Sequence, residues 1–514
     1  MPDGQYWSLV VSSPRTEKSP RELYFSPRGS FARKGPLSGV VYAILRDSGT
    51  VGRTVLVVPT RKEAQEAIEA ARLFAEREEA VFFPSLEINP YERTSPDRDI
   101  IAERIRAMSS LVRGRARLVV TTGEAITSFV VPRGVFKRSF TRLSKGDEFP
   151  RDELVVGLER AGYERIPEVT DPGDFAVRGG VVDVFPPDSE NPVRIEFFGD
   201  EIESIRLFDP TTQRTLREVE SISICPGSEV LRETNGNGDG GFGEVTVLAD
   251  FLRDGIRGPG LEFYTPWIYG ETGRLLDYVG SDVRLVFYSF EEIRDRVSFL
   301  RELSEDIRNR AREPLPDPEL LFGGLGELLE LAGDDNSLII DDFPPVPVEG
   351  DREPLGVADV PGTSHSGKGM LKKDGLMGLV RRARSDRSVL VVAAPSAYRV
   401  DVFRRLLEDE DVYPAKVEVP LELKKLEEGG VYLVESGIRH GFRDLRSGLT
   451  VVTDFEIFGT SLRKRDRVPL KRVKFPQELL KIGTGDLVVH ENYGIGRYLG
   501  LKKVEVGDKV EECA

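Results

Sequence analysis

The sequence is poor in the residues that build metal centres and covalent scaffolds. Of 514 residues only two are cysteine, Cys225 and Cys513, and three are histidine, His365, His440 and His490, spaced far apart. A disulfide framework and a cysteine-rich zinc site are excluded, and a histidine-based metal centre has no basis. No apolar run approaches the roughly 18 residues of a membrane span. The start, Met1-Pro2-Asp3-Gly4, is not the basic-then-apolar pattern of a secretory signal. An excess of cations is missing as well. The net charge is −15 and the pI is near 5.1. Coating nucleic acid through bulk charge is therefore disfavoured, although a local basic patch is not. Catalytic constellations are also lacking. There is no Gly-x-Ser-x-Gly and no Cys/His pairing, and nothing singles out one acid/base pair among the many acids. What the chain does have is apolar material for real cores, at 39% hydrophobic residues. At roughly 150 residues per domain, three to four domains are expected. The expectation is a soluble, cytoplasmic, multidomain protein with no catalytic site, no metal and no membrane partner.

An α/β rhythm begins after residue 36. Thr54–Pro59 (TVLVVP), Ala80–Phe83 and Leu118–Thr122 read as buried strands. Lys62–Glu76 between them has alanines at helical spacing. Ser95-Pro96-Asp97 reads as a helix start, with Ser at the N-cap and Pro at the first helical position. Strand–helix–strand order predicts a parallel sheet covered by helices. Near residue 140 the pattern changes, and Gly180–Phe185 and Val193–Phe208 read as strands with no helix between them, with Gly199-Asp200 as a hairpin turn. Asn235–Gly241 reads as a loop. The α/β pattern returns through Val283–Tyr288, a long helix over Glu291–Arg312 and a short one over Gly323–Leu331. Pro314–Pro318 and Pro344–Gly367 read as linkers. A second α/β unit follows, with strands at Ser388–Ala393, Val431–Val434 and Leu449–Thr453 and a helix at Val400–Leu407.

Gly485–Val510 is β-like and stops at Ala514 without closing, so the chain is expected to end inside a domain. The expected segments are 1–137 and 216–335 as two halves of one α/β domain, 138–215 as a small β-rich insert, 345–460 as a second α/β domain, 461–480 as a basic linker and 481–514 as a partial β-barrel.

Four features invite a chemical reading. Gly362–Gly369 (GTSHSGKG) has the spacing of a phosphate loop, but it lacks the hydroxyl after Lys and sits in a Pro/Gly linker, so it is read as linker. Leu338–Asp342 (LIIDD) ends a strand in acids, which are ordinarily solvated caps. Ser461–Pro476 carries Arg463, Lys464, Arg465, Arg467, Lys471, Arg472 and Lys474 against Asp466. It could track DNA phosphates, or simply be a solvated linker. The fourth feature is the strand Arg194–Phe198. Period 2 puts Arg194, Glu196 and Phe198 on one face, and Ile195 and Phe197 on the other. The latter pair must be buried, which leaves Phe198 as an aromatic among charges on the solvent face. Arg plus an aromatic is a typical interaction hot spot; the alternative is that Phe198 folds over the hairpin end, half buried.

Several blocks resemble the bacterial transcription-repair coupling factor family (Mfd), in family order. They are Phe83–Arg104 (FPSLEINPYERTSPDRDIIAER), Gly162–Thr215 around VRGG and VRIEFF, Gly437–Gly459 with its HGF motif, and Gly485–Gly500 (GDLVVHENYGIGRYLG). The resemblance implies a UvrB-like α/β domain interrupted by a UvrA-binding insert, a second α/β domain, and a truncated SH3/Tudor-like barrel that docks on the RNA polymerase β subunit. It carries UvrA contacts onto Arg178, Arg194 and Phe198, and a polymerase contact onto Val504. The family's DNA translocase, which uses ATP and Mg and grips duplex DNA upstream of stalled polymerase, would lie beyond this chain. The stretch matching UvrB's phosphate loop, Gly35–Val40 (GPLSGV), lacks Lys and Thr, so no cofactor is expected here. The rival is a UvrB-like or helicase-like repair ATPase, which would need that missing loop.

Overall fold

The apolar runs around Val55, Val120 and Leu285 cannot stay in water, and the chain buries them in one parallel sheet. The computed structural model describes residues 30–33, 35–47, 52–232, 248, 250–251, 258–280, 282–311, 314–332, 337–341, 357–360, 372–458 and four strands between 487 and 513. Asn235–Gly241, Gly362–Gly369, all but a few residues of Pro344–Gly367, and the whole of Ser461–Pro476 lie outside the described residues. Residues up to 461 and those beyond form two separate units.

In the larger unit the first sheet has the order Ser30–Arg33, Ser337–Asp341, Val283–Tyr288, Arg53–Val58, Leu118–Thr122, Ala80–Phe83. All five pairings are parallel. Val283 pairs with Arg53 and Leu285 with Val55, across more than two hundred intervening residues. The strands before and after the insert are therefore members of one sheet, and the insert's own strands, from Thr141 to Ile224, form separate sheets outside it. Helix Arg61–Arg72 starts on a Thr60 cap that accepts from the Glu63 amide, and it ends sooner than its alanine spacing suggests, at Arg72. Helix Arg98–Val112 starts two residues later than expected. Asp97, not Ser95, is its N-cap, because its carboxylate accepts from the Asp99 amide. Pro318, read as linker, instead opens the short helix Pro318–Leu321.

A second α/β sheet has the order Val357–Ala358, Phe442–Asp444, Leu449–Thr453, Val389–Ala394, Val431–Glu435, Ala415–Val417. It shares a core with the first lobe. Tyr42 and Phe74 stack with Phe442 at ring distances of 4.9, 5.1 and 6.2 Å within the three. Gly39 lies so close that a Cβ would meet Phe442 at 3.0 Å. Arg46 donates to the buried Asp444 at 2.8 Å, which fixes the end of helix Leu37–Asp47 to this sheet. Burial pushes the Asp444 carboxyl up, but hydrogen bonds from Ser447, the Arg446 amide and Arg46 outweigh it and hold it below its ordinary value.

The insert is a six-stranded sheet ordered Thr215–Glu218, Glu201–Phe208, Val193–Phe198, Val181–Val184, Asp174–Arg178, Glu164–Arg165, with a two-stranded ribbon, Thr141–Ser144 and Ser221–Ile224, beside it. Helix Arg151–Arg160 lays Leu154 and Leu158 onto Phe175, Val182, Ile195 and Phe197. Each of those side chains, fully buried, contributes about 1.5–3 kcal/mol. In the smaller unit, Leu487–His490 pairs antiparallel with Gly494–Arg497, and Lys502–Val506 with Lys509–Cys513. A closed barrel is not seen among its described residues. No helix among the described residues is long and apolar enough to cross a membrane.

Candidate functional site

One face of the insert's sheet is spent on its core, and the other carries the charged residues. Val193, Ile195 and Phe197 are buried, while Arg194, Glu196 and Phe198 face outward, as strand parity predicts. Gly199 makes the hairpin turn at φ 65°, a conformation that other residues resist. Phe198, just before it, is 78% exposed, so it does not fold over the hairpin end. Pairing runs Arg178 opposite Val181, Val181 opposite Glu196, and Asp183 opposite Arg194. Register thus brings Arg178, Arg194 and Phe198 onto one surface from two strands that are not neighbours.

What holds the two arginines is a residue that sequence reasoning missed. The Asp183 side chain is 1% exposed. It accepts from Arg178 Nη2 at 2.5 Å and from Arg194 Nε and Nη2 at 2.7 and 2.9 Å. Arg194 also reaches Gln213 at 3.3 Å and lies 4.6 Å over the Phe208 ring. The hydrogen bond to Asp183 is the main reason its guanidinium is held even more firmly protonated than usual. The two cations therefore differ. Arg194, 19% exposed, is a pinned strut, whereas Arg178, 51% exposed, reaches Asp183 through Nη2 and leaves the rest of its guanidinium toward solvent. Beside them Arg206 bridges Glu196, which also accepts from Ser204 at 2.9 Å. A signal for Asp183 was present. GVVDVF places one acid inside an apolar strand, and a buried acid must have a cationic or hydrogen-bonding partner. Asp183→Asn is expected to destabilise this part of the sheet by about 2 kcal/mol, since hydrogen bonds to charged groups are each worth roughly 1.5–3. Faster hydrogen exchange at the Val181–Val184 amides, with the parallel sheet unchanged, checks this.

The insert is firmly seated. Arg104, on helix Arg98–Val112, is 1% exposed and pairs with Glu229 at the module's exit. It also donates to Pro84 O at 2.6 Å and lies 4.1 Å over Phe83. Ser109 and Arg113 hold Asp188 at 2.6 and 2.9 Å. Burial pushes the Cys225 thiol up, which makes it an inert packing group.

At the position of the degenerate phosphate loop, helix Leu37–Asp47 begins directly after Pro36, and Ser38 donates to His440 O at 2.6 Å. The cavity there, about 180 Å³, is lined by Glu63, Glu66, Tyr288, Arg439 and His440. Arg439 is tied to Glu66 at 2.9 Å. Glu63 adds a second carboxylate to the lining, and it accepts from the Thr60 hydroxyl at 3.0 Å. No metal-binding cluster of His, Cys, Asp or Glu occurs among the described residues. Val504 lies in Lys502–Val506, opposite Glu511. The seven cations between Arg463 and Lys474 lie outside the described residues.

Residues 141–229 match the family model described as the UvrB interaction domain, and 482–514 match the CarD-like/TRCF RID domain. The class is thus a multidomain α/β protein carrying a UvrB-interaction module and part of an RID-type module. Over about nine-tenths of its length the chain is homologous to the transcription-repair-coupling factors. It is 31% identical to that of Myxococcus xanthus over 92% of this chain and 42% of the relative. For the factor of Bacillus subtilis the figures are 26%, 88% and 40%, and for that of Escherichia coli 25%, 92% and 42%. The chain spans about two-fifths of the length of these relatives.

Proposed function

We propose that this chain is a recruitment platform of transcription-coupled nucleotide excision repair, binding UvrA through the outer face of its insert. The observation that carries the reading is Phe198, a large aromatic standing in water on a sheet face whose two nearby arginines are pre-positioned by one buried carboxylate. Arginines already held in place by Asp183 lose less entropy on docking than free side chains would. Phe198 would enter an apolar pocket on UvrA, Arg178 would meet an acidic group there, and Arg194 would hold the sheet face in register. The matches to the UvrB interaction domain and to coupling factors support the choice of partner.

The same reading gives the last segment, including Val504, to docking on the RNA polymerase β subunit as part of a small barrel, supported by its RID match. It assigns duplex contacts to the Arg463–Lys474 cations. It assigns no nucleotide to the Gly35–Val40 position, supported by Glu63 and Glu66 in the cavity there. Translocation by ATP belongs to the proposal only for longer relatives.

The test is co-elution of the 514-residue chain with purified UvrA, with and without ATP added to the chain beforehand. The reading predicts a complex whose formation is indifferent to nucleotide on this chain, and no retention of labelled ATP by the chain alone. Binding of ATP by the chain, or failure to retain UvrA, would contradict it.

A further inference from the structure

The opposite side of the same module carries a second surface that the UvrA reading does not use. A groove of about 590 Å³ runs between the residues just after helix Arg98–Val112, the Asp188-Ser189 turn, and the strands Thr215–Glu218 and Ser221–Ile224. Its floor is apolar. Leu207, Val219 and Ile222, each partly buried, continue the module's core to the surface. Its walls bear four guanidinium groups against the single carboxylate of Asp188. Arg113 is tied to that carboxylate at 2.9 Å, and Arg115 to Glu78 at 2.6 Å. Arg142 and Arg217 are exposed and form no ion pair among the described residues. Arg217 stands opposite Leu207 in its ladder, and Arg142, paired with Ser223, lines the same groove.

These two features together select a ligand. Free guanidinium groups favour carboxylate or phosphate, which they bind in bidentate fashion. The floor then discriminates. A phosphate backbone has nothing apolar to place on Leu207, Val219 and Ile222, whereas an extended peptide presents alternate side chains to different sides. We propose that this groove docks an acidic segment of a partner protein, in extended form, with carboxylates on Arg142 and Arg217 and aliphatic side chains on the strip between them. Leu207 and Arg206 are successive residues of one strand and point to opposite faces, so the groove and the Phe198 surface can be occupied at once.

The probe is a fluorescein-labelled twelve-residue peptide of alternating Glu and Leu, titrated with the 514-residue chain by fluorescence anisotropy. An all-Glu peptide, a Lys-Leu peptide and a 20-base-pair duplex serve as comparisons. The Glu-Leu peptide is expected to bind best, and Arg142→Gln with Arg217→Gln together to weaken it at least tenfold. Leu207→Ser is expected to weaken it too, and Phe198→Ala to leave it unchanged. Raising salt should reduce the affinity without abolishing it, because the apolar contribution is not screened. Both arginines are exposed, and circular dichroism checks that the double variant remains folded. No binding of the Glu-Leu peptide, equal or tighter binding of the duplex or the all-Glu peptide, or undiminished binding by the double variant would overturn the proposal. Because Phe198→Ala separates the two surfaces, loss of UvrA binding and loss of peptide binding are read independently.

Discussion

Phe198→Ala is expected to weaken UvrA binding by at least about thirtyfold, leaving the fold intact. Truncating a central aromatic anchor costs roughly 2 kcal/mol or more, and each 1.4 kcal/mol is a factor of ten. The same ring contributes little to stability, because at 78% exposure it has almost no packing to lose. Substitutions at such positions usually shift stability within about 0.5 kcal/mol. Phe299→Ala is the matched control, since that ring is also exposed, at 66%, but lies on the long helix Phe290–Arg310 of the α/β lobe. It should leave UvrA binding unchanged. Arg178→Ala should cost less than Phe198→Ala, since part of that guanidinium is already committed to Asp183. Titrating UvrA onto the immobilised chain and its variants gives the ratios directly.

Arg104→Ala is expected to be the most damaging single change to the seat of the insert. It leaves the Glu229 carboxylate, 6% exposed, without its cation, and it strips a donor from Pro84 O and a charge from the face of Phe83. Breaking a buried pair by removing one partner costs about 3–5 kcal/mol. Replacing both partners by apolar residues of similar size, Arg104→Met with Glu229→Leu, should recover much of that loss, because the pair also carries a desolvation penalty. In a multidomain chain a single unfolding free energy is poorly defined. The measurement is therefore hydrogen exchange at helix Arg98–Val112 and in the 228–231 segment. The single variant should open locally and the double variant should not.

The two expectations separate what one sequence can reveal from what it cannot. Period 2 along Val193–Phe198 was enough to place Ile195 and Phe197 inside and Phe198 outside, because which face of a strand is buried follows from the strand alone. The parallel sheet was equally legible, since runs such as Leu118–Thr122 admit few other fates. The pairing of Arg178 and Arg194 through Asp183 was not legible. It depends on the register of three strands, and a register is set by turns and packing that no single strand encodes. The Arg104–Glu229 pair joins residues 125 apart, and only the looping-out of the insert brings them together. The shared core of the two α/β sheets was hidden for the same reason, as Tyr42 and Phe442 each look like ordinary core aromatics within their own segment. Local errors had local causes. Ser95 and Asp97 are both good caps, and the choice fell to the carboxylate that reaches the Asp99 amide.

Incorporating a photo-crosslinking phenylalanine analogue at position 198 of the 514-residue chain, and irradiating it with UvrA, tests the central claim most directly. The account predicts an adduct to UvrA from position 198, none from position 299, and competition by unlabelled wild-type chain. An adduct of equal yield from both positions, or from 299 alone, would contradict it.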